Sequence, residues 1–559
     1  MQEISNLIQA TIKSLYNLDS EVILSRPENE FGDIYSNIAL KISKEVGKSP
    51  RVIADEIIDK INKSNDGNIA KIETAGPGFI NIWLEDKVLI SNLDNLTNEL
   101  EIHSGKNFLV EYSDPNPFKP LHAGHLYTTL VGDSISRLIE RGGAKVIRLS
   151  YGGDVGLHVG KSMWSIVKNL EGEHPEKLND ISESERAKWL GERYVEGNTA
   201  YDDDPKSKDE IVATNKKVYA IHKSNDKESA FAKIYWTCRE WSYEYFKDLY
   251  KELQIIEFDR FIPESEVVDL GVSKVEEQLK KGVYQESDGA VVYKGEDKGL
   301  HTRVFINSEG LPTYEAKDIG LLQLKWNDYK YEQSIIITAN EQSQYMQVVL
   351  ASLAEYEPEI SQKTKHITHG VVKLVGGVKM SSRKGNTVSA MDIIESAYQA
   401  AVKQDKGADH TIVLSAIKYA FAKTRIGGDI IYDPIESIAL EGNSGPYIQY
   451  AHARAASILS KVEQKKSDFV SEKLEKSERA LVAKLNQYSD VLVQSINELS
   501  PHLVTTYLHE LAQEFNRFYE NSRVIDDPRQ DFRIFLITKY ADVLKDGLSL
   551  LGISAPDKM

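Results

Sequence analysis

The chain of 559 residues reads as an α/β protein: a Rossmann-type parallel sheet in its middle, an α+β unit before it and an all-helical unit after it. Three observations predict this. A strand, a long helix and a second strand follow one another between Phe108 and Ser150, the βαβ unit of a doubly wound sheet. Residues 1 to about 103 mix helical and strand-like stretches. From about Ala390 to Met559 the apolar periodicity is almost wholly helical. Length agrees with several units, since compact domains run at ~100–200 residues.

Taken in order, Met1 to Tyr16 spaces Ile4, Leu7, Ile8, Ile12 and Leu15 along one helical face. Glu3 stands early and no basic start leads into an apolar block, so this is a domain helix and not a targeting peptide. FGDIYSNIALKISKEVGKSPRVIADEI predicts two helices broken at Pro50, and AGPGFINIWL a Gly-Pro turn followed by an alternating strand, Phe79 to Leu84. The first central strand is Phe108 to Ser113. A Pro-rich turn follows, then a helix from about Leu121 to Arg141 that Gly142-Gly143 ends, then a strand from Lys145 to Ser150. Between about Val155 and Ser287 the pattern is helical and highly charged, with the acidic Tyr201–Asp204 stretch, as expected of an insertion into the central fold. Strand signals return at Ala290–Tyr293, His301–Asn307 and Ser334–Thr338, the last apolar enough for a buried parallel strand. There are no internal repeats or low-complexity linkers. The expected units are 1–103, 104–389 with the insertion around 155–287, a helical connection at 390–445 and a helical unit at 446–559.

Composition narrows the function. No apolar run approaches the ~18–20 residues needed to span a bilayer. The single cysteine, Cys238, can form neither an internal disulfide nor a multi-cysteine zinc site, which fits a reducing compartment; on an aromatic helix it reads as packing and not as a nucleophile. The net charge of −17 does not exclude a nucleic-acid partner, because phosphate is bound by the local field. From Ile360 to Met391 there is no Asp or Glu, yet Lys363, Lys365, Lys373, Lys379, Arg383 and Lys384 all occur. Such a block is usually a solvated face; a Gly-rich turn inside it favours a phosphate site.

Two motifs carry chemistry. The first, Pro117-Phe-Lys-Pro-Leu-His-Ala-Gly-His125, sits where the first central strand passes into the long helix. Ligands of doubly wound sheets bind beyond the carboxyl ends of the strands, and a helix N-terminus suits a triphosphate. Gly124 leaves room for a flat base, and His122 and His125 can donate hydrogen bonds to phosphate oxygens as charge shifts. As bare helix caps the histidines would need no ligand, and H-E-x-x-H metal spacing is missing. The second motif, Val378-Lys-Met-Ser-Ser-Arg-Lys-Gly-Asn386, has Gly376-Gly377 before it and Gly385 within it. In such a loop a lysine or arginine can follow a departing pyrophosphate and close over bound substrates.

Together the motifs resemble the HIGH and KMSKS signatures of class I aminoacyl-tRNA synthetases. VEYSDPNPFKPLHAGH, YEAKDIG, KMSSRKGN and EGNSGPYIQYAHARAASIL narrow the resemblance to arginyl-tRNA synthetases. It runs nearly end to end, from FGDIYSNIA to LKDGLSLLGI. It implies a cytoplasmic ligase that activates arginine with ATP to arginyl-adenylate and pyrophosphate, then transfers arginine to the terminal adenosine of tRNA(Arg). ATP is a substrate, Mg2+ comes with it, and no protein-bound metal is implied. The resemblance also implies activation only with tRNA bound, no membrane partner and a monomer. Catalytic roles fall to His122, His125, Lys379 and Lys119, and ATP contacts to His122, Gly124, His125, Lys379, Met380, Ser381 and Ser382.

A planar cation with five donors calls for paired acids and a flat or hydroxyl-bearing neighbour. Tyr314 and Asp318, four apart, share a helix face, and by resemblance hold the guanidinium with Glu111; Asn116 and Gln342 take the amino-acid head group. A buried carboxylate there would reject lysine or citrulline by ~10⁴. The 446–559 unit resembles the anticodon-binding domain, with Tyr447, Gln449 and Arg454 as tRNA contacts; stacking on bases and core packing are equally open for Tyr447. The first unit resembles the domain that reads the tRNA elbow, with Phe79 and Asn81 as contacts, and 390–445 the part that meets the tRNA stem.

The pattern departs at Ser382, where the second signature lysine is missing, so Lys119 or Lys384 is expected to supply the charge. It also departs at Asp114, usually serine, and at Tyr345, usually histidine. Other readings are a class I synthetase for glutamate or cysteine, a small nucleotidyltransferase, or a non-catalytic relative. The cysteine enzyme lacks its zinc thiols here, the small transferases lack the helical half, and a non-catalytic relative loses signature residues that this chain keeps.

Overall fold

The computed structural model describes residues 2–27, 31–64, 67–375, 389–404, 409–462, 469 and 473–559. The first unit opens with α1 (Gln2–Tyr16), whose Ile4, Ile8 and Ile12 are buried, as the spacing requires. Then come β1 (Leu24–Ser25), β2 (Ile34–Ser36), α2 (Ile38–Val46), α3 (Pro50–Ser64), β3 (Ile69–Ala75) and β4 (Phe79–Leu84). Pro50 starts α3, where its missing N–H costs nothing. The strands form an antiparallel sheet in the order β1-β2-β4-β3. Ile80, Ile82 and Leu84 point into the core, while Phe79, Asn81 and Trp83 take the opposite face. A short α4 (Asp86–Ser91) leads out.

The central unit is a five-stranded sheet in the order β12-β11-β5-β6-β7, every pair parallel. The chain enters it with β5 (Asn107–Glu111), α5 (Ala123–Arg141) and β6 (Lys145–Gly152). It leaves through α6 (Leu157–Asn169), α7 (Arg186–Asp203), α8 (Pro205–Lys223) and α9 (Ala230–Glu252), a helical layer with its own core around Met163, Tyr235 and Cys238. It returns as β7 (Arg260–Pro263) and α10 (Glu264–Lys280). The expected helical insertion is thus shorter than 155–287, because β7 pairs with β6 as an edge strand of the main sheet. Four residues between charged segments carry too little periodicity to announce a strand.

A separate antiparallel sheet, β10-β9-β8, follows from β8 (Gln285–Ser287), β9 (Ala290–Tyr293) and β10 (Arg303–Ile306). These strand signals lie outside the parallel sheet. Next come α11 (Tyr314–Tyr329), β11 (Gln333–Ala339), α12 (Ser343–Leu353), α13 (Pro358–Lys363) and β12 (Thr364–His369). β12 lies in the acid-free block that reads as a solvated face; with Ile367 its one apolar residue, Thr364-Lys-His-Ile-Thr-His369 gives no strand signal. From β5 the chain adds β6 and β7 on one side and β11 and β12 on the other, so the order of strands reverses between β5 and β11, and their carboxyl ends open the crevice where such folds bind ligands.

The pair β13 (Val372–Leu374) and β14 (Ile430–Tyr432) brackets α14 (Ala390–Lys403) and α15 (His410–Ala422). α16 (Pro434–Ser437), α17 (Gly445–Leu459), α18 (Lys476–Leu485), α19 (Tyr488–Glu498), α20 (Pro501–Asn521) and α21 (Gln530–Leu550) complete the helical unit. Its core runs without a break into that of the first unit, joining Ile4, Ile57 and Ile90 to Leu492, Leu508 and Leu544.

Candidate active site

The loop from β5 to α5 is held in an unusual shape. Ser113, Asp114 and Phe118 have φ of 74°, 49° and 71°, a region that L-residues rarely adopt. Anchors from other elements keep it there. Phe118 is fully buried with its N–H on Ser242 Oγ at 2.8 Å, and Ser113 Oγ lies 2.6 Å from Tyr250 Oη.

α5 then begins with a capping box made of two histidines. His122 Nδ1 accepts from the N–H groups of Gly124 (3.1 Å) and His125 (3.4 Å), and His125 Nδ1 accepts from the N–H of His122 (3.3 Å). Their rings stack with centroids 3.8 Å apart. Burial, with help from Lys119, pulls His122 down to about 4, and His125 well below its ordinary range. Both rings are therefore neutral, and with Nδ1 accepting, the proton sits on Nε2. A Cβ on Gly124 would come 2.9 Å from the His122 ring, so glycine is required.

The cavity above these histidines, of about 1740 Å³, is lined by three further groups of residues. Lys119 forms no ion pair among the described residues; burial lowers its ammonium to about 8, and it lies 5.2 Å from the centre of the Tyr194 ring. Ser389 bridges to His122, and Ala390 N–H donates to Leu121 O at 2.9 Å. Thus the chain just after the basic motif is tied to the first motif. Lys379, Met380, Ser381 and Ser382 themselves lie outside the described residues, as do Arg383 and Lys384.

The third group is acidic. Glu111, at the end of β5, is buried and bound to Lys325 Nζ at 2.8 Å. Asp114 accepts from Tyr151 N–H at 2.8 Å. Glu264, the first residue of α10, accepts from the buried Lys317, and Asp318 accepts from the Tyr345 hydroxyl. At this end of the cavity Glu111, Asp114, Glu264 and Asp318 thus stand together, with the ammonium groups of Lys325 and Lys317 paired to Glu111 and Glu264. The imbalance shows in their protonation. Burial, then the Glu111 and Glu264 charges, push Asp318 up to about 8, and burial with Glu111 pushes Asp114 well above the carboxylate range.

Tyr314 and Asp318 do lie one turn apart on α11 and line this end, with the Tyr314 ring exposed to the cavity and its hydroxyl 3.5 Å from His158 Nδ1. Asn116 Oδ1 accepts from Gly153 N–H at 2.9 Å, and Gln342 lies beyond β11 on the same wall.

Family models match along the chain in three pieces: the N-terminal domain of arginyl-tRNA synthetase over residues 2–84, the catalytic domain of class I (R) tRNA synthetases over 88–437, and the DALR anticodon binding domain over 448–559. The chain belongs to the arginyl-tRNA synthetase family. It is 28% identical to the arginine–tRNA ligase of Porphyromonas gingivalis, with both chains covered in full. It is 30% identical to that of Fusobacterium nucleatum subsp. nucleatum, covering all of this chain and 99% of the relative. The fold is that of Thermus thermophilus arginyl-tRNA synthetase, with a TM-score of 0.80 over the whole of both chains at 24% identity.

This arginyl-tRNA synthetase is a class I ligase that takes ATP as substrate and loads arginine onto tRNA. Its last unit is an anticodon-binding domain, and among the described residues no helix is long and apolar enough to cross a membrane. In that unit Tyr447 is half-buried and accepts from Asn516 Nδ2 at 3.1 Å, and Arg454 lies 4.6 Å from the Tyr519 ring centre. Gln449 is fully buried, with Nε2 on Ser554 O at 2.8 Å. Its place in the free enzyme is a strut for the C-terminal tail, not a surface for RNA, because α17 turns that face inward. Tyr450 beside it is exposed. In the N-terminal domain Phe79 meets Tyr35 edge-on at 5.8 Å, and Asn81 is nearly buried mid-sheet between Tyr35 and Glu73.

Sequence reading missed Glu264, Tyr151 and His158 in this synthetase. Glu264 follows the unrecognised β7, and Tyr151 ends a strand as an unremarkable aromatic. His158 donates through Nε2 to Gly153 O at 2.7 Å, and only the fold brings it near Tyr314.

Proposed function

We propose that the acidic end of the cavity binds the arginine side chain and that the histidine end binds the triphosphate of ATP. The observation that carries this reading is the surplus of acids at that end, Glu111, Asp114, Glu264 and Asp318 against Lys317 and Lys325, with Asp114 and Asp318 held protonated for want of a cation. A guanidinium supplies the missing charge and presents donors in a planar fork. Tyr314 and Asp318 grip it and Glu264 adds a second acid, while Glu111, engaged with Lys325, sets the field from behind. Asn116 and Gln342 take the α-amino and carboxylate groups.

The arginine carboxylate then attacks the α-phosphorus of ATP, the bond to the bridging oxygen breaks, and pyrophosphate leaves. The Nε2–H groups of His122 and His125 donate to phosphate oxygens as charge moves onto them. Lys119 supplies the positive charge that Ser382 does not, and Lys379, with Met380, Ser381 and Ser382, closes over the phosphates. Magnesium enters on ATP. A ribose hydroxyl of the terminal adenosine next attacks the adenylate carbonyl and displaces AMP. Positioning and charge stabilisation suffice, and no covalent nucleophile is used.

On this reading the units work as 1–103 on the tRNA elbow, 104–389 in catalysis, 390–445 on the stem and 446–559 on the anticodon. Phe79 with Asn81, and Tyr447 with Arg454, meet bases and phosphates; Gln449 can do so only if the C-terminal tail moves. The enzyme acts as a cytoplasmic monomer, and tRNA binding completes the activation site.

ATP–pyrophosphate exchange with each of the twenty amino acids, with and without tRNA, tests the scheme. We expect exchange with arginine alone, and only with tRNA. Exchange with a different amino acid would overturn the pocket assignment, and exchange with arginine in the absence of tRNA would overturn the tRNA requirement.

A further inference from the structure

A polar atom in the acidic wall has no hydrogen-bond partner among the described residues. Tyr151 lies in β6, its main chain held by Asp114 and paired with Ile262 of β7. Tyr151 is among the residues that line the cavity, and its hydroxyl is buried without a hydrogen-bond partner among the described residues. A buried hydroxyl left unpaired costs ~1–3 kcal/mol, so its survival beside a ligand cavity points to a partner that arrives with the ligand. The neighbouring Tyr345 hydroxyl is already committed to Asp318, whereas that of Tyr151 is uncommitted among the described residues.

The surroundings decide what that partner is. The charges acting on the Tyr151 phenol are the carboxylates of Glu264, Asp318, Glu111 and Asp154, and burial together with these carboxylates keeps the phenol protonated. A protonated phenol keeps its oxygen lone pairs. The hydroxyl therefore offers an acceptor. A guanidinium is all donors, and two carboxylates cannot accept all five of its N–H groups from one direction.

We propose that Tyr151 is a substrate-contacting residue whose hydroxyl oxygen accepts an N–H of the arginine guanidinium, completing the set begun by Asp318 and Glu264. This rests on the assignment of the acidic end to the arginine side chain. The contact makes the pocket selective for a group with donors to spare over the single ammonium of lysine, whose three N–H groups the acids alone can absorb.

Tyr151→Phe removes the oxygen and keeps the ring in place. In ATP–pyrophosphate exchange with tRNA present, we expect KM for arginine to rise about tenfold, with KM for ATP and kcat unchanged. Inhibition constants for agmatine, which lacks the carboxylate, and argininic acid, which has a hydroxyl in place of the α-amine, should both rise by a similar factor. If argininic acid binds the variant and the parent equally while agmatine weakens, the oxygen serves the α-amine and the proposal falls. It falls also if KM for arginine does not move. Asp318→Asn, measured alongside, separates the two layers of the argument. A rise of a hundredfold or more in KM for arginine there, with Tyr151→Phe silent, rejects the Tyr151 contact alone. No change in either variant rejects the arginine pocket itself.

Discussion

At the scale of single residues the site depends on groups kept out of their ordinary protonation states. Asp318 holds its proton up to about pH 8 because burial and the Glu111 and Glu264 charges oppose ionisation. A guanidinium reverses that balance, so binding arginine below pH 8 must expel a proton. The sign follows from linkage: the free enzyme binds the proton more tightly than the arginine complex, so arginine affinity strengthens as pH rises and levels off near 8. We expect KM for arginine to fall severalfold between pH 6.5 and 8, and calorimetry at pH 7 in buffers of different ionisation heat to register close to one proton released. A pH-independent KM would mean that Asp318 is already ionised. Lys119 presents the complementary case, a cation that forms no ion pair among the described residues and that burial alone shifts down. Lys119→Met should lower the exchange rate about a hundredfold, the scale of losing one group that stabilises transition-state charge, and leave KM for arginine nearly unchanged. A variant with nearly full exchange would pass the role to another cation.

At the scale of elements, the acidic wall depends on how closely α10 and α11 cross. A Cβ on Gly320 would lie 2.3 Å from Val267 O, and one on Gly271 would lie 2.0 Å from Ala316 O. The two backbones touch there, and the contact brings Glu264 of α10 onto Lys317 of α11. Gly320→Ala must push the helices apart, so we expect a loss of about 1–3 kcal/mol in urea unfolding together with a higher KM for arginine. Full stability with wild-type KM would show that the crossing has slack. This layer also shows how much could be read in advance. Long periodic segments such as α1, α5 and α17, and apolar strands such as β5 and β11, announce themselves, and the signature residues sit at their ends. β7 and β12 do not, because four residues are too few to show a period and Thr364-Lys-His-Ile-Thr-His369 holds a single apolar residue. Glu264, Tyr151 and His158 were hidden for a related reason. Each matters through a neighbour distant in sequence, and nothing in the flanking residues marks a carboxylate or hydroxyl as facing a cavity. The same limit applies to Gln449, expected as a tRNA contact, because the C-terminal tail that covers it lies about a hundred residues away in sequence.

At the scale of the whole molecule, the two ends of the chain are one body. Arg479 of α18 reaches into the first unit, where Nη2 donates to Asp33 Oδ2 at 2.8 Å and to Leu84 O at 3.2 Å, and Nη1 binds Asp86. Arg26 returns the contact, with Nη2 on Asn486 O at 2.7 Å, and Asn486 Nδ2 donates to Leu89 O at 3.0 Å. Beneath these bonds runs the shared apolar core, so the unit matched to the N-terminal domain is docked on the anticodon-binding domain. Burial already drives the Asp33 carboxyl above its ordinary range against the pull of Arg479, Arg26 and the Leu84 N–H. Arg479→Ala would leave that acid with less compensation in a buried place, at a cost of about 1–3 kcal/mol. Because the core bridges both units, the loss should appear at both ends. We expect amide exchange to quicken in β3 and β4 as well as in α18, and the urea midpoint to fall. KM for tRNA should rise while KM for arginine stays fixed, since the acidic wall belongs to a different part of the fold. Faster exchange confined to α18 would show that the first unit is held by its own core alone.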